Sequence, residues 1–217
     1  MRKINLIGIL TALIFVSNLV NGQEIAVTER GDSIVLFSNG TWDYYTNYLN
    51  DNKDEPEIRI NKDTFVKPKS STKKINGSNQ AYEIWYNDKK WKRVPVGELN
   101  PEADVALQLI NGDAYSMVIY EELEIPLENL SQIALDNAIN VAPDIKMIDR
   151  EYRVVNNDTL VWMRMDGTYQ GMKISYYSYY FSNAKGSIQF HTFTGQNLID
   201  KFKKEIEDLL NGLISKE

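Results

Sequence analysis

SIQFHTFTGQNLIDKFKKEIEDLLNGL, residues 187–213, decides the fold. Its first eight residues alternate apolar with polar and read as a half-buried strand. The period then changes. Leu198, Ile199, Phe202, Ile206, Leu209, Leu210 and Leu213 fall on one broad stripe of a helix over about 196–213, with Lys201, Lys204, Glu207 and Asp208 pointing away. Thr194 is the expected N-cap, and Asp200 with Lys204 the expected i,i+4 pair. So wide a stripe reads as a packing surface for a sheet of the same domain, rather than as a partner or membrane face.

The sheet is legible upstream. Tyr82, Ile84 and Tyr86 alternate up to Asn87-Asp88, and the apolar pattern resumes over 91–96, which predicts a hairpin. Val105, Leu107 and Leu109 lead into Asn111-Gly112, the strongest short hairpin signal, with the return strand over 114–120. Pro126 then opens a helix that carries Leu127, Leu130, Ala134, Ala138 and Val141 on one side and ends before Pro143. Strands follow at 147–155, 160–166 and 172–181, the first two joined by the turn residues Asn156-Asn157-Asp158. The reading is an α+β domain over 81–217: an antiparallel sheet of hairpins packed by two helices.

Residues 49–80 are expected to be a polar linker. Charged and polar residues dominate, apolar ones are sparse, and Pro56 and Pro68 punctuate it, so little surface is available to offset ordering entropy. Its one basic stretch, Lys67, Lys69, Lys73 and Lys74, reads as a solvated segment. Residues 23–48 read as a short β segment with turns at Arg30-Gly31-Asp32 and Ser38-Asn39-Gly40; the Arg-Gly-Asp triplet is ordinary turn chemistry. Residues 1–22 read as a cleavable signal peptide: Arg2 and Lys3, an apolar run over 6–16, and a Val20–Gly22 site before Gln23. That run is too short to anchor the chain by spanning a bilayer, so no transmembrane segment is expected after cleavage. The expected location is periplasmic or extracellular.

From residue 82 to residue 213 the order is hairpin, hairpin, long helix, antiparallel strands and C-terminal helix. That order, and the strand at 187–194 running into the closing helix, resembles the PsbP-like superfamily of αβα sandwiches. The resemblance implies a PsbP-like sandwich and an accessory or binding role. The chain departs from the lipoprotein branch, because no cysteine follows the apolar run.

Composition narrows the chemistry. The net charge is −6, and losing Arg2 and Lys3 takes it to −8. An acidic chain is a poor general ligand for nucleic acid or anionic membrane. There is no cysteine, so the core alone must stabilise an exported fold. His191 is the only histidine, in an alternating strand and without a nucleophile elbow, so it reads as structural; no transition-metal cluster can form from it. Asp51, Asp54, Glu55 and Glu57 lack the loop pattern of a calcium site.

Thirteen tyrosines and four tryptophans exceed what such a core needs. Strand parity gathers Trp162, Arg164, Tyr177, Tyr179, His191 and Phe193 into a candidate half-exposed face, and exposed Trp, Tyr and Arg suit recognition. The alternative is a second layer that covers them. The expected function is that of a non-enzymatic exported binding or accessory protein, with no cofactor and no metal. Its partner is expected to be another envelope or extracellular protein or a small ligand, not nucleic acid. The competing reading is an exported hydrolase using scattered carboxylates.

Overall fold

The computed structural model describes residues 24–28, 32–36, 42–45 and 58–216. The expected signal peptide and the stretch 49–57 lie outside the described residues. Those described form two compact units, one before Arg59 and one from Arg59 onward.

The first unit is a three-stranded antiparallel sheet of β1 (Glu24–Val27), β2 (Ser33–Leu36) and β3 (Trp42–Tyr44), in that order. Thr28 and Asp32 close its first turn, the backbone N–H of each donating to an oxygen of the other at 2.9 and 3.1 Å. Trp42 and Tyr44 share one side of β3, edge to face at 5.5 Å.

The second unit contains, in chain order, β4 (Arg59–Phe65), β5 (Lys73–Asn76), β6 (Tyr82–Tyr86), β7 (Trp91–Arg93), β8 (Val105–Leu109) and β9 (Ala114–Glu121). Helix α1 (Leu127–Val141) follows, then β10 (Lys146–Val155), β11 (Asp158–Tyr169), β12 (Met172–Asn183), β13 (Gly186–Gly195), helix α2 (Ile199–Leu210) and β14 (Leu213–Ser215). Eight strands form one sheet in the order β4-β10-β11-β12-β13-β9-β8-β7, and three form a smaller one, β14-β6-β5. All pairings are antiparallel except that of β4 with β10. The fold is thus α+β with a mixed sheet and two helices.

Register assigns the two faces of the large sheet. Opposite residues share a face, so Trp162, Tyr179 and Phe190 point one way, and Met163, Ser178 and His191 the other. The first face packs under α2, where Phe202, Ile206, Leu209 and Leu210 join Trp162, Tyr177, Tyr179 and Phe190 in one buried core. Helix α1 lies on the opposite face, over β11 and β12.

Five expectations need correction. The linker was drawn to residue 80, yet its second half is built into both sheets. β4 pairs with β10, and β5 pairs with β6 and buries Ile75 to 5 % exposure. Polar composition misled because these are edge strands, held by side-chain bonds more than by apolar area. The hairpin expected between 82–86 and 91–96 does not form: β6 joins β5 and β14, while β7 joins β8. The last helix is shorter than its stripe, since Leu213 continues the periodicity as the first residue of β14. Finally, the Thr194 hydroxyl donates to Asp113 O at 2.6 Å and Leu198 is the N-cap; Lys204 bonds Asp208 at 2.7 Å rather than Asp200.

Candidate functional site

The six residues expected on a half-exposed face do not form one. Trp162, Tyr177, Tyr179, His191 and Phe193 are all buried, at 7 % exposure or less, and they divide between the two sides of the sheet. Trp162, Arg164, Tyr177 and Tyr179 lie on the α2 side; His191 and Phe193 lie on the α1 side. The parity count was sound within each strand and failed between strands, because one register step moves a whole strand's set to the other face. Only Arg164 reaches water. Its guanidinium forms a two-point pair with Asp166 at 2.8 and 3.0 Å, 5.8 Å from the Tyr177 ring, and Trp162 meets that ring edge-on at 5.2 Å.

What the α2 side does hold is an internal ionic cluster. Glu151 and Arg153 are 2 % and 7 % exposed, two residues apart on β10, and bonded at 2.6 Å. The Arg153 guanidinium stacks between Trp162 at 4.2 Å and Phe65 at 4.7 Å, and also donates to the Tyr179 hydroxyl at 3.4 Å. Tyr179 in turn donates to Asn211 Oδ1 at 2.7 Å. Glu151 receives Arg59 at 2.6 Å and Asn61 at 2.9 Å, both from β4. Burial raises the Glu151 carboxyl, but its bonds to Asn61, Arg153 and Arg59 outweigh that and hold it below the usual range. The sequence carried only a faint signal for this cluster: opposite charges at alternate positions, on a strand (KMIDREYRVV) half of whose residues are charged.

On the small sheet Glu83, 8 % exposed, receives Lys74 at 2.7 Å, Lys216 at 3.1 Å and the Trp85 indole N–H at 2.9 Å. Burial again opposes ionisation, and these three bonds prevail, holding the carboxyl at about 2. Glu83 and Glu151 are the carboxylates buried among the described residues, and both are kept charged by cations. Glu121 is shifted upward, by partial desolvation and by Glu102 beside it, but it sits exposed at the end of β9.

His191 faces α1. Its Nδ1 lies 2.9 Å from Ser178 Oγ, and its ring meets Tyr180 edge-on at 5.8 Å. Burial lowers its pKa to about 4, so the ring is neutral at pH 7. The contacts of this Ser–His pair include no carboxylate to orient the ring, and the pair is closed from solvent.

Among the described residues, the grooves on the surface of this unit include two with distinct linings. One, about 640 Å³, runs beside Met172, Ile174, Leu198, Lys173, Gln196 and Asp113. The other, about 350 Å³, lies between Ser70-Ser71, Asn87-Lys90-Trp91 and the Lys204–Leu209 stretch of α2. Neither includes Glu83, Glu121, Glu151 or His191. Among the described residues no group of acids and histidine is placed to hold a metal ion.

No protein-family model matches the sequence, and no curated protein matches it significantly. Solved structures do resemble the fold. The cyanobacterial PsbP (CyanoP) of Synechocystis superposes with a TM-score of 0.50 at 16 % identity, over 69 % of this chain and 95 % of its own. LpqN of Mycobacterium tuberculosis, described as involved in cell envelope biogenesis, gives 0.48 at 9 % identity, over 67 % and 90 %. A protein of unknown function from Pseudomonas aeruginosa gives 0.43 at 11 % identity, over 62 % and 92 %. The fold from β4 onward is PsbP-like, as the element order implied.

Proposed function

We propose that this chain, a PsbP-like α+β unit behind a small β unit, is an exported accessory or binding protein rather than an enzyme. The observation that carries the reading is the state of its buried ionisable groups. A hydrolase built on carboxylates needs one acid with a raised pKa beside a second that is ionised. Glu83 and Glu151 are both lowered, each clasped by two cations, and neither lines either of the two grooves described. Export rests on the amino-terminal pattern of Arg2, Lys3 and the apolar run over 6–16. No helix among the described residues is long and apolar enough to cross a membrane.

One experiment with two readouts tests this. Protein recovered from the envelope or medium of expressing cells begins near Gln23 by N-terminal sequencing, and its carboxyl-labelled NMR titration shows Glu83 and Glu151 ionising below the usual glutamate value of about 4.3. Exported material that retains Met1 contradicts the signal peptide. Either glutamate titrating near neutrality contradicts the non-enzymatic reading.

A further inference from the structure

The basic stretch that reads as a solvated linker is instead organised. β5 pairs with β6 so that Lys74 stands opposite Trp85 and Asn76 opposite Glu83, while β14 sets Ile214 opposite Glu83. These side chains share the outer face of the small sheet; Ile75, Ile84 and Leu213 share the inner face and lie in the core. Two ammonium groups lie over the Trp85 ring, Lys67 at 4.7 Å and Lys74 at 5.6 Å. Lys216 and Lys74 both reach Glu83. The Lys67 ammonium meets the indole face and, at 3.4 Å, the Ser71 carbonyl. Among the described residues, three cations therefore gather around one carboxylate and one half-buried indole, on a chain whose net charge is −6.

We propose that this face docks on an anionic lipid surface. Its shape and charge argue for that occupant. Trp85, Lys74, Glu83 and Ile214 lie side by side on the face of a three-stranded sheet, with Lys67 and Lys216 reaching onto it. A central indole and Ile214 bordered by lysines match a planar boundary: Trp settles at the headgroup level and Lys extends its ammonium toward phosphates. The remaining acidic surface orients the molecule with this face inward. Each net positive charge near an anionic surface contributes about fivefold in partition, the equivalent of about 1 kcal/mol; because Lys74 and Lys216 share Glu83, the face carries an excess of two, which gives binding that is weak and sensitive to salt.

The test uses the full mature chain and co-sedimentation with vesicles of phosphatidylcholine, with or without about one quarter phosphatidylglycerol, at low ionic strength. Binding is expected only to the anionic vesicles and is expected to vanish in molar salt. Lys67→Gln weakens it about fivefold and Lys67→Glu about twenty-five-fold, while Lys146→Gln, at the opposite end of β10 from the Asn156 that bonds Lys67 N, leaves it unchanged. Far-UV circular dichroism verifies folding, and Lys67→Gln decides the matter if the charge reversal unfolds. Equal sedimentation with neutral vesicles, no sedimentation at all, or an unchanged Lys67→Gln variant overturns the proposal. Release by millimolar inorganic phosphate at constant ionic strength also overturns it, in favour of a discrete phosphate site. So does Lys67-dependent binding to polyglutamate in preference to vesicles.

Discussion

At the scale of single residues, two side chains set how the molecule responds to acid, and a third ties its turns together. His191 is neutral in the fold, with its pKa at about 4, and ionises near 6.5 when unfolded. The unfolded chain therefore binds the proton first, and stability falls as pH drops below 6.5, the loss being complete near 4. That gap corresponds to about 3 kcal/mol. Glu83 acts at lower pH: its stabilising charge is present above the ordinary glutamate value and is lost as pH falls toward 2. Urea unfolding between pH 7 and 4.5 therefore shows a decline that His191→Gln removes. An unchanged slope in the variant rejects the assignment. Asn156 is the third pivotal residue. Its φ of 52° suits the β10–β11 turn, and its side chain donates to Asn211 O and Leu213 O at 2.9 and 2.7 Å and accepts from Lys67 N at 2.7 Å. The turn was legible from Asn-Asn-Asp; its service as a clamp on the C-terminal strand was not, because those partners are 55 and more residues away.

At the scale of elements, β4 is the strand whose attachment is least apolar. Ile60 and Val66, within and just after it, are 73 % and 65 % exposed, and its register on β10 is interrupted between Tyr152 and Val154. An irregular, charged edge resists pairing with another chain. Arg59, Asn61 and Phe65 tie it to Glu151 and Arg153. Removing one member of a buried ion pair leaves the other charge uncompensated and costs about 3–5 kcal/mol. Glu151→Gln and Arg153→Met are each expected to destabilise on that scale, and the double substitution by clearly less than their sum. Additive losses measured by urea unfolding reject the coupling. β4 escaped sequence reading for the same reason it is ionic: RINKDTF has no alternation, and its partners lie about 90 residues downstream. The β8–β9 hairpin, α1 and α2 were legible because their signals are local, in the Asn111-Gly112 turn and the 3.6-residue period. Gly212 shows the opposite case. A Cβ there would strike the Trp85 carbonyl, whose own N–H bonds Gly212 O at 2.8 Å, so an unremarkable turn glycine fixes β6 against the end of α2.

At the scale of the whole molecule, the aromatic residues and the histidine that suggested an exposed recognition surface belong instead to the interior of a PsbP-like unit. The candidate face was misplaced because composition counts aromatics without saying what covers them: Trp162, Tyr177 and Tyr179 are buried in the core with α2 and the small sheet, and His191 and Phe193 are buried on the other side of the sheet. The pairing of β4 with β10 and of β5 with β6 puts the start of the cooperative unit at β4, not at residue 81. Two fragments, 58–217 and 81–217, compared by urea unfolding with circular dichroism, test this most directly. The longer one retains β4 and β5, the partners of Glu151 and the buried Ile75. It is expected to unfold in one cooperative transition. The shorter one leaves Glu151 and Arg153 without Arg59, Asn61 and Phe65, and is expected to show a much reduced midpoint or no native transition. A fragment 81–217 that unfolds cooperatively at the same midpoint as 58–217 contradicts the account and returns residues 59–80 to the role of a linker.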